Sequence, residues 1–348
     1  MSIFFRLWLI AISIMFSSLV FGQSYGLWFE DEFVGNSLDT NFWTPQIGDG
    51  CPNLCGWGNN ELEYYRAENA TVANGKLTIS AKQESFGGRN YTSSRLITKN
   101  KIDFTYGFVE ARIDMPIGQG LWSAFWMLST NQPYGTWPAS GEIDIVEMLG
   151  HEPNKVHGTI HYGNMWPNNQ NMGMSAIGNN YTTGFHTYGV EWVEDTIRWF
   201  VDSVKYFELT ASDILPLDWR FDDDFHLLLN CAVGGNWPGN PDSTTVFPQE
   251  MIIDYVRVYK KGYTDISENE LPQFSCYPNP VLNKLVIDNL PENNLNYRII
   301  NAAGQIIQSE RLLTETIDCF TFKRGLYFIE IIDSADKERV TTLKFVKL

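Results

Sequence analysis

Gly107-Phe108-Val109-Glu110-Ala111-Arg112-Ile113 sets a small or apolar residue at every second position, with an aromatic or charged residue between. Side chains of a β-strand point alternately to opposite faces, so a period of two marks a half-buried strand. The same period recurs in Lys76-Leu77-Thr78-Ile79-Ser80-Ala81, Thr196-Ile197-Arg198-Trp199-Phe200-Val201 and Ile252-Ile253-Asp254-Tyr255-Val256-Arg257-Val258-Tyr259. Gly, Asn, Asp and Pro punctuate these runs from about Trp28 to Lys260. Long helical periodicity is absent, with room for one short helical turn within 211–223. Many strands separated by turn signals predict an all-β fold, a two-sheet β-sandwich or jelly roll.

Composition narrows the function. Hydrophobic residues make up 44% of the 348, enough for a real core. The 12 Trp, 16 Tyr and 22 Phe exceed what such a core needs, because indole is bulky and its N–H wants a partner. An aromatic-lined surface on which sugar rings stack is one outlet, and a tryptophan-rich core is another. The net charge of −16 with no basic tract makes nucleic acid a poor partner candidate, and none is expected. The same field repels polyanions, so a neutral polymer fits best.

Residues 1–22 read as a secretory signal peptide: Arg6 supplies the positive start, Leu7 to Phe16 the apolar run, and Ser17, Ser18 and Gly22 the small residues near a cleavage point. The run is too short for a membrane span. After export, Cys51 and Cys55 in Gly50-Cys51-Pro52-Asn53-Leu54-Cys55-Gly56 suit a small disulfide loop. Cys231 lies in an apolar run and reads as a buried thiol. Cys276 and Cys319 fall together in the C-terminal region, and their pairing stays open.

The chemistry concentrates in Gly141-Glu142-Ile143-Asp144-Ile145-Val146-Glu147-Met148. Glu142 and Asp144 share a strand face, but Glu147 has the opposite parity. One extra residue in a β-bulge around Ile145 and Val146 returns Glu147 to the first face. Two carboxyls roughly 5–5.5 Å apart then serve a retaining glycosidase, one as nucleophile and one as proton donor. Mutual repulsion raises the pKa of one member and keeps it protonated. A solvated polar face or a calcium site is the competing reading, and the apolar residues between the acids argue against simple solvation.

Glu142-Ile143-Asp144-Ile145-Val146-Glu147 resembles the active-site signature of glycoside hydrolase family 16, and its surroundings resemble the bacterial laminarinase branch. The matching stretches include Gly56-Trp57-Gly58-Asn59-Asn60-Glu61, Gly120-Leu121-Trp122-Ser123-Ala124-Phe125-Trp126, Trp137-Pro138-Ala139-Ser140-Gly141-Glu142, Val156-His157-Gly158-Thr159-Ile160-His161 and Gly234-Gly235-Asn236-Trp237-Pro238. The resemblance runs from about residue 25 to 260. It implies a β-jelly-roll with a concave substrate cleft, with Glu142 as nucleophile, Glu147 as acid/base and Asp144 as the assisting acid. It also implies Asn60, Arg95, Trp122, Trp126, Trp137, His161 and Trp237 as residues lining the cleft. The chemistry needs no cofactor, and a structural calcium held by Glu32, Gly75 and Asp254 is implied on the convex side.

Residues 261–273 form a polar linker, after which a second, smaller β pattern of roughly seven short strands begins. Tyr277-Pro278-Asn279-Pro280, Gly304, Gly325-Leu326-Tyr327-Phe328 and the basic-ended strand Lys344 to Leu348 resemble a type IX secretion sorting domain. The expected organisation is therefore a signal at 1–22, a catalytic domain at 23–260, the linker at 261–273 and a C-terminal β-sandwich sorting domain at 274–348. A monomer, secreted or attached to the cell surface, is expected to hydrolyse internal β-1,3 bonds of a β-glucan such as laminarin with retention. The alternatives are mixed-linkage β-1,3-1,4-glucan or an algal galactan as substrate, or a glucan-binding protein without activity.

Overall fold

The computed structural model describes residues 25–263 except 166 and 179, and residues 275–348 except 289–294, 303–304, 313 and 334–339. The signal segment 1–22, residues 264–273 of the linker and Gly304 lie outside the described residues. The chain divides near residue 265 into two units.

The first unit is a sandwich of two eight-stranded sheets. One sheet runs Val204–Thr210, Thr196–Val201, His186–Val193, Gly107–Asp114, Gln249–Lys261, Lys76–Ala81 and Ala70–Ala73, with Tyr25–Asp31 also on Gln249–Lys261. The other runs Asn169–Ile177, Lys155–Gly163, Glu142–Leu149, Leu121–Ser129, Phe225–Val233, Arg95–Ile97 and Thr44–Gln46, with Asp103–Phe104 also on Phe225–Val233. Every neighbouring pair in the two sheets is antiparallel. A 3-10 turn, Ala211–Ile214, falls within the stretch expected to hold one, and two more, Cys55–Gly58 and Ala67–Asn69, were not expected.

The period-two reading of Gly107–Asp114 holds residue by residue. Gly107, Val109, Ala111 and Ile113 are buried, and the residues between are half-buried. Between the sheets lies one core containing Val109, Ile113, Phe125, Met127, Ile143, Val146, Trp192, Trp199, Leu227 and Leu229, among others. Burying one such aliphatic or phenyl side chain contributes about 1.5–3 kcal/mol. Trp43, Trp192 and Trp199 are fully buried, so part of the tryptophan surplus does fill the core. Cys51 and Cys55 form the disulfide, and Cys231 is a buried free thiol.

The second unit has seven strands among the described residues. Ser275–Tyr277, Lys284–Asp288 and Thr316–Asp318 form one sheet, and Ile306–Leu312, Leu295–Asn301, Gly325–Asp333 and Val340–Lys347 the other. Its core includes Val281, Leu285, Ile287, Ile299, Ile329 and Phe345. Cys276 and Cys319 are free thiols in it.

Candidate active site

The strand Glu142–Leu149 starts from a turn that only glycine fills. Gly141 has φ +85°, and a β-carbon there would sit 2.8 Å from the Phe221 ring. Along the strand, Leu128 pairs with Glu142, Trp126 with Asp144, Phe125 with Val146 and Ala124 with Glu147. Ile145 has no partner in that register and is the extra residue of a β-bulge. On the other side Glu142 pairs with His161, Asp144 with Thr159 and Glu147 with His157, with a break between Asp144 and Glu147. Ile145 and Val146 both enter the core. That double step returns Glu147 to the face of Glu142 and Asp144.

The bulge has its own brace. Trp199 of the opposite sheet donates its indole N–H to the Asp144 carbonyl at 2.8 Å. The approach needs Gly158, where a β-carbon would lie 2.4 Å from Trp199 Cδ1. Trp199→Phe keeps an aromatic ring but removes the donor, leaving a buried carbonyl unpaired at a cost of about 1–3 kcal/mol, to which the space left by the smaller ring adds. A melting temperature lower by roughly 2–10 °C is expected. Because the bulge sets the angle of Glu147, kcat is expected to fall by up to about 10²-fold with KM little changed. An unchanged kcat in a protein of lowered Tm would show that Trp199 supports the fold and not the acids.

The acids differ in their surroundings. Glu142 Oε2 accepts the Trp137 indole N–H at 2.7 Å, and Oε1 lies 3.8 Å from His161 Nε2. Glu147 Oε1 accepts only the Trp122 indole N–H, at 3.1 Å. Asp144 Oδ2 stands 3.3 Å from His161 Nε2. It is buried and outside hydrogen-bond geometry. Burial, then the adjacent Asp144 charge, pushes the Glu142 carboxyl up to about 8. Burial and Asp144 also hold Glu147 well above the ordinary carboxyl range. Burial alone would lower His161, but Asp144, Glu142 and Glu147 outweigh it and raise the imidazole to about 10. His161 is thus a cation beside Glu142 and Asp144. The cation and the shorter donor both oppose that rise at Glu142, so of the two glutamates Glu142 gives up its proton first.

A cleft of about 610 Å³ opens over these acids. Glu142, Asp144, Glu147, Arg95, Trp122, Trp126, Trp137, His161 and Trp237 all line it. Trp137 and Trp237 are 40% and 42% exposed, enough to offer ring faces to a ligand. The loop carrying Trp137 is tied by the Ser140 hydroxyl, which donates to the Gly135 carbonyl at 2.8 Å and accepts the Tyr134 N–H at 3.0 Å. Trp237 packs edge-on against Trp122 and His157, with centroids 5.5 and 4.8 Å away.

Two expected positions look different in detail. Asn60 donates to the Asn236 side chain at 2.9 Å and sits at the rim, while its neighbour Asn59 lines the cleft. Trp126 is not a bare platform, because the Arg95 guanidinium lies between its ring and that of Trp57, at 4.7 and 4.8 Å. The indole N–H of Trp126 is anchored through Asn230, Tyr65 and Glu61 in a chain of bonds of 2.8, 3.2 and 3.0 Å. Trp57, Glu61, Thr159, Asn171 and Asn230 also line the cleft and were not singled out from the sequence. Parity could have found Thr159, which shares a face with His161 two residues on.

The expected calcium ligands lie on the other sheet and its loops. Gly75 faces the Glu32 carbonyl, which would be 4.0 Å from a β-carbon there. The Glu32 side chain is taken by Arg257 at 2.6 Å, leaving that carbonyl as its donor. Asp254 occupies a break in register between Ile253 and Tyr255, and its carboxylate meets Arg112 at 2.5 Å and Lys76 at 3.6 Å. The donor set is all oxygen, as calcium requires, and an ion would compete with two cations for Asp254.

Residues 58–257 match the family model described as Glycosyl hydrolases family 16, and residues 275–347 match the Secretion system C-terminal sorting domain. A Beta-glucanase of Rhodothermus marinus is 42% identical over 245 residues, covering 66% of this chain and 83% of that protein. Glucan endo-1,3-beta-glucosidase A1 of Niallia circulans is 40% identical over 255 residues, covering 67% of this chain and only 37% of that longer protein. The solved catalytic domain of an endo-1,3-beta-glucanase (laminarinase) from Thermotoga petrophila superposes with a TM-score of 0.66 at 42% identity. That match covers 69% of this chain and the whole of that domain. With the bulged acid strand, the tryptophan-lined cleft and these matches together, the chain belongs to glycosyl hydrolase family 16 and ends in a secretion sorting domain.

Proposed function

We propose that this chain is a retaining endo-hydrolase of β-1,3-glucan, exported through the type IX route and acting as a monomer outside the cell. The carrying observation is the one-faced array of Glu142, Asp144 and Glu147 beneath exposed tryptophans. Glu142, which gives up its proton before Glu147 because Trp137 and the His161 cation favour its charge, attacks the anomeric carbon as the carboxylate. Glu147 gives its proton to the departing glycosidic oxygen, and a covalent glycosyl ester forms on Glu142. Water then enters with Glu147 as base and releases the sugar with its original configuration. Asp144 and the His161 cation hold the field that separates the two roles.

The aromatic cleft suits an uncharged sugar chain, and a net charge of −16 disfavours sulfated galactans and nucleic acid. A panel of laminarin, mixed-linkage β-glucan, agar and carrageenan with product sizing tests the reading. Short oligosaccharides released early from laminarin are expected. Preferential cleavage of a galactan, or binding without any product, would overturn it.

Glu32 and Gly75, through their carbonyls, and Asp254 would hold a calcium ion that supports the fold and takes no part in the chemistry. Because the ion would exchange for the Arg112 and Lys76 contacts, its effect is expected to be modest. Calcium is expected to raise Tm by a few degrees over chelated protein, and Asp254→Ala to abolish that difference. Identical melting with calcium and with chelator would leave Asp254 to its ion pairs alone.

A further inference from the structure

Glu142, Asp144 and His161 present two carboxylate oxygens and one imidazole nitrogen within 4.8 Å of one another, the one such group of His, Cys, Asp and Glu side chains among the described residues. His161 Nε2 stands 3.3 Å from Asp144 Oδ2 and 3.8 Å from Glu142 Oε1. A tetrahedral zinc ion with bonds of about 2.0–2.1 Å has its ligands roughly 3.3–3.5 Å apart. One edge already matches, a second is slightly long, and a rotation of the Glu142 side chain shortens the rest. A second observation points the same way: Asp144 Oδ2 is buried, faces this group and accepts no hydrogen bond. In the free protein the His161 imidazolium supplies the positive charge beside this oxygen, and a metal ion that binds Nε2 takes its place as that proton leaves to solvent.

We infer that the cleft holds an inhibitory site for a borderline divalent metal, zinc above all, bound by Glu142 Oε1, Asp144 Oδ2 and His161 Nε2. One nitrogen and two carboxylate oxygens suit zinc, whereas calcium and magnesium prefer six or more oxygens. The fourth position faces the cleft and takes water or a sugar hydroxyl. Bound zinc occupies the Glu142 oxygen and crowds the space above it, so turnover stops while the ion is present. His161 Nδ1 is buried without a partner, and a metal-bound histidine usually donates from its second nitrogen. The site is therefore weaker than a structural zinc site, and its occupancy reversible.

The test is calorimetric titration of ZnCl₂ into the full-length protein, with cobalt(II) as a spectroscopic stand-in. Glu147→Gln, which removes no ligand, is expected to bind zinc as the parent does. His161→Gln and Asp144→Asn, each checked for an unchanged fold by circular dichroism, are expected to lose at least about tenfold in affinity and the visible band of tetrahedral cobalt. Zinc is expected to inhibit hydrolysis reversibly, with full recovery on chelation, where equal calcium does not. Zinc affinity unchanged in both ligand variants would overturn the site, whatever the enzyme cleaves, because the binding arm needs no substrate. Loss of binding in Glu147→Gln alone would also overturn it, by placing the ion on the wrong carboxylate.

Discussion

Glu142→Ala is expected to lower kcat on laminarin by about 10⁴-fold or more, with no change in the β-sheet circular dichroism. The substitution removes the one carboxylate that has both a short indole donor and a cation beside it. Without it the covalent ester cannot form, and direct attack by water is left without a partner on that face of the sugar. The shortened side chain leaves a space beside Trp137, on the cleft side of the acid strand. A small anion such as azide is expected to enter that space and restore turnover, giving an α-glycosyl azide by a single inversion. Full activity in Glu142→Ala would remove the nucleophile from the account. Rescue that yields a β-azide would place the attack on the wrong face.

Glu147→Gln has two expected effects of opposite sense. On laminarin, loss of the proton donor is expected to cost about 10²–10⁴-fold in kcat. An aryl glucoside with an acidic leaving group needs little protonation, so its cleavage step loses much less. Stability moves the other way. Glu147 is buried, and its carboxyl is held well above the ordinary 4.5. The folded state thus binds the proton more tightly than the unfolded chain does. That advantage is fully present below 4.5 and is lost as pH rises through the folded value. Neutral glutamine escapes this loss. Glu147→Gln is therefore expected to melt above the parent at pH 8, by about 2–4 °C, and level with it at pH 4.5. Equal melting at both values would mean that Glu147 is not held protonated by its surroundings.

The alternation in Gly107–Asp114 was readable as a strand because one face is core and the other half-wet. The acid strand was readable for a different reason. Parity puts Glu147 on the wrong face, and three acids on one face require an extra residue. The structure supplies it as Ile145, which is apolar and so can enter the core. What braces the bulge was not readable. Trp199 reaches the Asp144 carbonyl from 55 residues away and from the other sheet. Nothing in a period-two pattern says which opposite side chain carries a donor at the right height. The strand order was hidden for the same reason, since Leu121–Ser129 pairs with Phe225–Val233 some hundred residues on. Trp126 shows the limit of reading side chains singly. Parity places it in the cleft, but the Arg95 guanidinium over its ring follows from two strands meeting across the sheet. Asn59 and Asn60 show that a motif fixes a loop more surely than it fixes which of two adjacent amides turns inward.

The central claim is a double displacement through Glu142 with Glu147 as the acid and base. Proton NMR of the anomeric region during the first minutes of laminarin hydrolysis, before mutarotation, tests it most directly. The account predicts that the β-anomer of the new reducing end appears first and the α-anomer grows in later. An α-anomer at first release would contradict it, because that outcome requires a single displacement by water.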